Sequence, residues 1–183
     1  MRFLALGALA LCAACGVTPR VAVPVAVTVP AAARAGGAGM GLAVVSKEVD
    51  GDTVHVILNG VDERVRFIGV NTPETHGKHG LVQCFGKEAS DHTAALIPVG
   101  TQVRLVRDAE LRDKYGRLLA YIYRVQDGLF VNLAIARDGY ADVLTFPPNV
   151  AHASEFVAAV ADARDHNLGL WSACGSADVP IDP

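Results

Sequence analysis

Two arginines and two carboxylates, each placed at a turn beside an apolar run, carry the chemistry this sequence offers. Arg66 and Glu74 flank Phe67-Ile-Gly-Val-Asn71-Thr72-Pro73, so one segment and its exit supply both a guanidinium and a carboxylate. Pro73 fixes its own backbone and pushes Thr72 toward extended geometry, which gives Glu74 a defined place. Such a pair suits a phosphate and a water: the planar guanidinium grips anionic oxygens, and the carboxylate aligns or deprotonates the water. Taken alone, an edge arginine paired with a nearby acid explains the segment better. Two further stretches converge on it, however. Val49-Asp50-Gly51-Asp52-Thr53-Val54 reads as an Asp-Gly turn between alternating apolar runs and leaves the Asp52 carboxylate at a strand start. Asp113-Lys114-Tyr115-Gly116-Arg117 is a second polar turn, and it places another arginine at the start of Leu118-Leu-Ala-Tyr-Ile-Tyr123.

These side chains need a frame to bring them together. Hydrophobic alternation predicts strands over 42–49, 53–58, 63–70, 102–107 and 118–124, with the second and third joined around Asn59-Gly60. A single strand over 63–70 would put Arg66 and Val70 on one face. Helices are expected over 86–97, stopped by Pro98; over 131–138, closed by Gly139; and over 149–167, with Gly169 as a stop. The last carries Ala153, Phe156, Val157 and Val160 as an apolar stripe. Three strands, a helix, two strands and more helices are compatible with several α+β folds.

The order and spacing of the motifs resemble the staphylococcal (micrococcal) nuclease family, from about Leu42 to Trp171. There an Asp-Gly-Asp-Thr turn, an arginine strand ending in Asp/Asn-Thr-Pro-Glu, and Asp-Lys-Tyr-Gly-Arg follow one another in this sequence. The resemblance implies an α+β, mainly β fold: a five-stranded Greek-key barrel of the OB type with about three helices. It implies that Arg66 and Arg117 neutralise the phosphate in the transition state and that Glu74 acts on the attacking water. Asp52, Asn71 and the Thr72 carbonyl would be oxygen ligands of Ca²⁺, with Asp50 supporting them from behind. Tyr115 and Lys114 would touch the substrate. The family commonly has aspartate where this chain has Asn71, so one ligand charge is missing. Leu144-Thr-Phe-Pro-Pro148 stands where the reference nuclease carries stacking tyrosines, leaving Phe146 to replace one ring.

Met1 to Cys15 is an apolar run with one early cation, Arg2, which is a signal-peptide pattern too short for a membrane span. Leu11-Cys-Ala-Ala-Cys15-Gly16 also resembles a lipoprotein cleavage box with Cys15 as the lipidated residue, so lipidation and simple secretion both remain open. The chain is expected to divide into a leader (1–15), a Pro/Ala/Gly-rich tether (16–41), the folded domain (42–175) and a short tail (176–183). Two of the four cysteines lie in the leader. In an exported protein the remaining two, Cys84 and Cys174, are expected to pair rather than stay independent thiols. His76 and His79 with Cys84 suggest zinc, but the spacing matches no standard site and a fourth ligand is missing; a polar loop over the cleft is the better reading. His55, His92, His152 and His166 read as surface or helix-face residues.

Charge argues against a protein that holds nucleic acid by bulk attraction. Thirteen of the 16 Lys+Arg lie beyond Arg34, together with all 19 Asp+Glu, giving that part a net charge of −6. A binder relying on phosphate neutralisation should be basic. The expectation is therefore an extracytoplasmic, monomeric, Ca²⁺-dependent nuclease, secreted, periplasmic or membrane-anchored. It would cleave DNA and RNA with little sequence preference and leave 3′-phosphate ends. The alternative is a catalytically weak OB module of the cell envelope that binds nucleic acid or protein. The presence of Asp52, Arg66, Glu74 and Arg117 together favours the enzyme.

Overall fold

The computed structural model describes residues 39–76 and 82–181. The leader, most of the tether, Cys15 and His79 lie outside them. Five strands close into a barrel in the order β1 (Gly39–Asp50), β2 (Thr53–Leu58), β3 (Val61–Phe67), β6 (Leu118–Arg124), β5 (Gln102–Val106), with β5 returning to β1. All pairs are antiparallel except β3 with β6. This is the closed mixed barrel expected of an OB-like α+β fold. Strand alternation drives it: Val54 and Val56 are buried, whereas Ile57 between them and the edge of the turn is 39% exposed. Val65, Val103, Leu105, Ala120 and Ile122 complete the sealed interior. The β2–β3 turn at Asn59-Gly60 has positive φ at both residues, 52° and 82°, as a tight two-residue hairpin demands.

The expected strand over 63–70 is broken. β3 ends at Phe67, and β4 (Gly69–Asn71) pairs instead with β7 (Asp142–Leu144) in a separate two-stranded sheet. Gly69 makes the bend with φ 88°, and a Cβ there would lie 2.2 Å from the Phe156 ring, so only glycine fits. Asn132, fully buried on α2 (Val131–Arg137), secures the break. Its side-chain amide donates to the carbonyls of Ile68 and Ala120 at 2.9 and 3.2 Å, and its oxygen accepts from the Ile122 N–H at 2.9 Å.

Among the described residues there are four helices: α1 (Gly86–Leu96), α2, α3 (Ala153–Asp165) and the single-turn α4 (Leu170–Ala173), one more than expected. In α3 the buried residues are Phe156, Val160 and Ala163; Val157 is 56% exposed and drops out of the stripe. Residues i, i+4 and i+7 share one face, and Val157 is turned away from it. His152, at the start of α3, is buried between Tyr121 and Phe130 rather than on the surface.

Cys84 and Cys174 form a disulfide across 90 residues of chain, with Cα atoms 6.1 Å apart. The bond leaves no free thiolate at Cys84, which removes the zinc reading. On the chain-entropy model a loop of that length stabilises by about 4 kcal/mol. Cys84→Ser/Cys174→Ser should therefore lose much of that in denaturant unfolding, and mass spectrometry of the unreduced protein should find no free thiol at either position.

Candidate active site

The site is assembled around the Arg66 guanidinium. The bend at Ile68-Gly69 curls the chain back, so that Arg66 Nη1 donates to the carbonyls of Phe67 and Val70 at 3.0 and 2.9 Å. Arg66 Nη2 lies 2.9 Å from Asp52 Oδ2 and donates to Asn71 Oδ1 at 3.2 Å. A straight strand would have carried the Val70 carbonyl out of reach. The break that sequence periodicity missed is therefore what holds the arginine.

Asp52 is the residue of the β1–β2 turn next to β2, and it is buried. Its Oδ2 accepts the Thr72 backbone N–H at 3.0 Å, its Oδ1 accepts the Thr53 hydroxyl at 3.1 Å, and Asp50 Oδ1 accepts the Asp52 N–H at 3.2 Å. Burial pushes the Asp52 carboxyl up to about 6, against the pull of Arg66 and with the repulsion of Asp50 adding to it. Gly51 is obligatory, because a Cβ there would lie 2.8 Å from the Thr72 hydroxyl oxygen. From outside the barrel, α1 braces the turn: Thr93 Oγ1 donates to the Gly51 carbonyl at 2.6 Å.

Glu74 sits just past β4, half-buried. Burial raises its pKa above the ordinary glutamate value; Asp52 raises it further, while Arg66 and Arg117 pull it down. Its backbone is gripped on both sides. The N–H donates to Gln83 Oε1 at 2.7 Å, the carbonyl accepts from the Gln83 N–H at 2.9 Å, and Gly86 presses so close that a Cβ would come within 2.6 Å of that carbonyl.

Arg117 is held differently. Its Nε donates to Asp113 Oδ2 at 2.7 Å, and Asp113 Oδ1 also accepts the backbone N–H groups of Tyr115 and Arg117. Its two terminal nitrogens have no hydrogen-bond or ion-pair partner among the described residues, and the guanidinium lies 5.5 Å over the Tyr115 ring, so they can meet an anion. Arg112, bidentate to Glu63 at 2.7 and 2.9 Å and bonded to the Gly116 carbonyl, pins the loop that carries Lys114 and Tyr115.

A cleft of about 650 Å³ opens against these groups, lined among others by Arg66, Lys114, Tyr115, Arg117, Leu144 and Phe146. Tyr115 and Phe146 are 69% and 67% exposed, so each offers a ring face at the surface. The structure thus brings Asp52, Arg66, Asn71, Thr72 and Glu74 together, with Asp50 behind Asp52 and Lys114, Tyr115 and Arg117 along the adjoining cleft.

A hard cation fits the donor chemistry, since Asp52, the Asn71 amide and the Thr72 carbonyl are all oxygen donors and the buried Asp52 charge is only partly balanced. Among the described residues, no three His, Cys, Asp or Glu side chains close on one point. Such an ion would therefore lean on neutral oxygens and water, as oxygen-liganded cations often do.

A family model described as "Staphylococcal nuclease homologue" matches residues 64–173. The chain belongs to the staphylococcal nuclease family. It is 40% identical over 128 residues to a thermonuclease of Staphylococcus intermedius, a match covering 70% of this chain and 74% of that one. To endonuclease YncB of Bacillus subtilis it is 36% identical over 130 residues, covering 70% of this chain and 61% of the relative. The family's barrel, its arginine strand and its Thr-Pro-Glu exit are all present here.

Sequence reasoning missed four residues that shape the site: Gln83, Asn132, Asp113 and Asp178. Asp113 lay inside a recognised turn, and its role as the Arg117 anchor follows from the four-residue spacing. The other three act across 9 to 107 residues of chain and leave no local signal.

Proposed function

We propose that this family member is a Ca²⁺-dependent nuclease that works outside the cytoplasm on DNA and RNA with little sequence preference, leaving 3′-phosphate ends. The observation that carries the reading is a cleft lined by both Arg66 and Arg117, with Arg66 paired to the buried Asp52 and Glu74 close enough for both arginines and Asp52 to act on its charge. The names of the relatives, thermonuclease and endonuclease, support the same chemistry. The leader pattern and the pairing of Cys84 with Cys174 support an exported protein.

Arg117 and Arg66 bind the phosphate and oppose the charge that builds on its equatorial oxygens. Glu74 orients the attacking water and takes its proton. A 3′-phosphate product requires that water attacks phosphorus and that the P–O5′ bond breaks, releasing a 5′-hydroxyl. Tyr115 and Phe146 give unpaired bases a surface to stack on, and stacking tolerates any base. Lys114 adds a positive charge beside them. A bound Ca²⁺ would supply Lewis-acid polarisation of the phosphate, held by Asp52 and the oxygens of Asn71 and Thr72.

Plasmid DNA incubated with the purified protein should be cut with Ca²⁺ and left intact with chelator, and the ends should resist a kinase-free 3′ extension until dephosphorylated. Cleavage that persists in chelator would remove the metal from the scheme. Asn71→Asp should tighten Ca²⁺ binding in calorimetry by restoring a carboxylate; unchanged or weaker affinity would take Asn71 out of the ligand set.

A further inference from the structure

The chain end returns to the site. After the disulfide at Cys174 the chain runs back along 82–84: the Cys84 N–H donates to the Val179 carbonyl at 2.7 Å, the Ile181 N–H donates to the Val82 carbonyl at 3.0 Å, and Gln83 bridges to Pro180. Residues 176–181, expected as a tail, are thus a strap clipped at one end by the disulfide. The strap delivers Asp178. One of its oxygens, Oδ1, accepts from the side-chain amide of Gln83 at 3.2 Å and from that of Asn71 at 3.4 Å. Gln83 is the residue that holds the Glu74 backbone on both sides, and Asn71 closes the strand from which Glu74 leaves. Asp178 adopts φ 62°, a left-handed conformation that aspartate tolerates better than most side chains but does not adopt without constraint.

We propose that Asp178 is a positioning residue of the active site: by joining Asn71 to Gln83 it fixes the segment that presents Glu74. The amide at position 71 then has a structural reason. An aspartate in its place would set a second carboxylate against Asp178, whereas the asparagine donates to Asp178 with its NH₂ while its oxygen accepts from Arg66. The two bonds to the Asp178 side chain lie near the surface, where such bonds add little stability, so their value is geometric: a small displacement of a catalytic group can cost up to about 10²-fold in rate.

This inference rests on the nuclease reading and on Glu74 as its water-handling group, and the experiment separates the two. On the full chain, Asp178→Ala should lower kcat about tenfold with KM nearly unchanged and the melting temperature within a degree or two. Asp178→Asn keeps an acceptor for both amides and should recover most of the loss. Gln83→Ala should behave like Asp178→Ala, and the double variant should be no worse than either alone, as expected for one linked unit. Amide hydrogen exchange at Glu74 reads the same link without turnover: it should quicken in Asp178→Ala and not in Asp178→Asn. Wild-type turnover together with unchanged Glu74 exchange in Asp178→Ala would overturn the proposal. So would equal damage in the Asn and Ala variants, which would make charge rather than contact the cause. If the parent protein cuts no nucleic acid, the nuclease reading fails by itself, and the exchange measurement still decides whether Asp178 holds Glu74.

Discussion

Replacing Arg117 with alanine is expected to depress kcat by ~10²–10³, about 3–4 kcal/mol of transition-state stabilisation, with a much smaller rise in KM. The reason lies in how the two arginines are held. Among the described residues Arg117 hydrogen-bonds from its side chain through Nε alone, its guanidinium lies over the exposed Tyr115 ring, and it lines the cleft, so its charge is available to the phosphate and costs the fold little when removed. The Arg117–Asp113 pair is partly exposed, and its loss should change stability by no more than about 1 kcal/mol. Arg117→Lys should rescue poorly, because a point charge cannot reproduce a two-pronged contact. Arg66→Ala is expected to cut kcat as well, and in addition to leave a less stable protein. Both of its terminal nitrogens already hold the fold, and removing it leaves Asp52 buried without its counter-charge, a change that typically costs about 3–5 kcal/mol. Thermal unfolding and single-turnover cleavage on the same samples distinguish these outcomes. Near-normal cleavage by folded Arg117→Ala would remove it from catalysis.

Glu74→Gln should lower kcat by ~10²–10⁴, the range for loss of a positioned acid–base group, and leave the fold intact. Each of these contacts reaches Glu74 through its own backbone atoms, so glutamine inherits the same place while losing the capacity to take a proton. The pH dependence gives an independent reading. The Glu74 carboxyl titrates above the usual glutamate value because it is half-buried and close to Asp52. Below that pKa it is protonated and cannot act as base, so kcat falls as pH drops through it; above, activity holds. In Glu74→Gln this acid limb should disappear along with most of the rate. Retention of both would leave Glu74 a structural group at the barrel rim.

Much of this architecture was written locally. The barrel strands follow from runs such as Thr53–Leu58, whose alternation fixes which side chains face inward whatever the partner strand. The positions of Asp52, Glu74 and Arg117 follow from turn chemistry within a few residues: glycine after Asp50, proline before Glu74, and Asp113 four residues before Arg117. The disulfide was legible because the two cysteines that lie beyond the leader, Cys84 and Cys174, have one way to pair with each other.

What the tertiary structure decided are the contacts between segments far apart in the chain. Periodicity continued β3 through Val70, because Gly69 is compatible with a strand until the Phe156 ring fills the space its missing side chain leaves. Val157 looked like core and His152 like surface, because a helical stripe states which residues share a face but not where the neighbouring ring stack ends. Asn132 and Asp178 carry ordinary surface residue types, and only the closing of the barrel and the return of the chain end give them partners. The sequence by itself determined the turns that carry the candidate groups, because local backbone preference acts over a few residues. Their mutual placement was left to packing, since hydrogen bonds and close contacts across the whole chain are satisfied together only in the folded state.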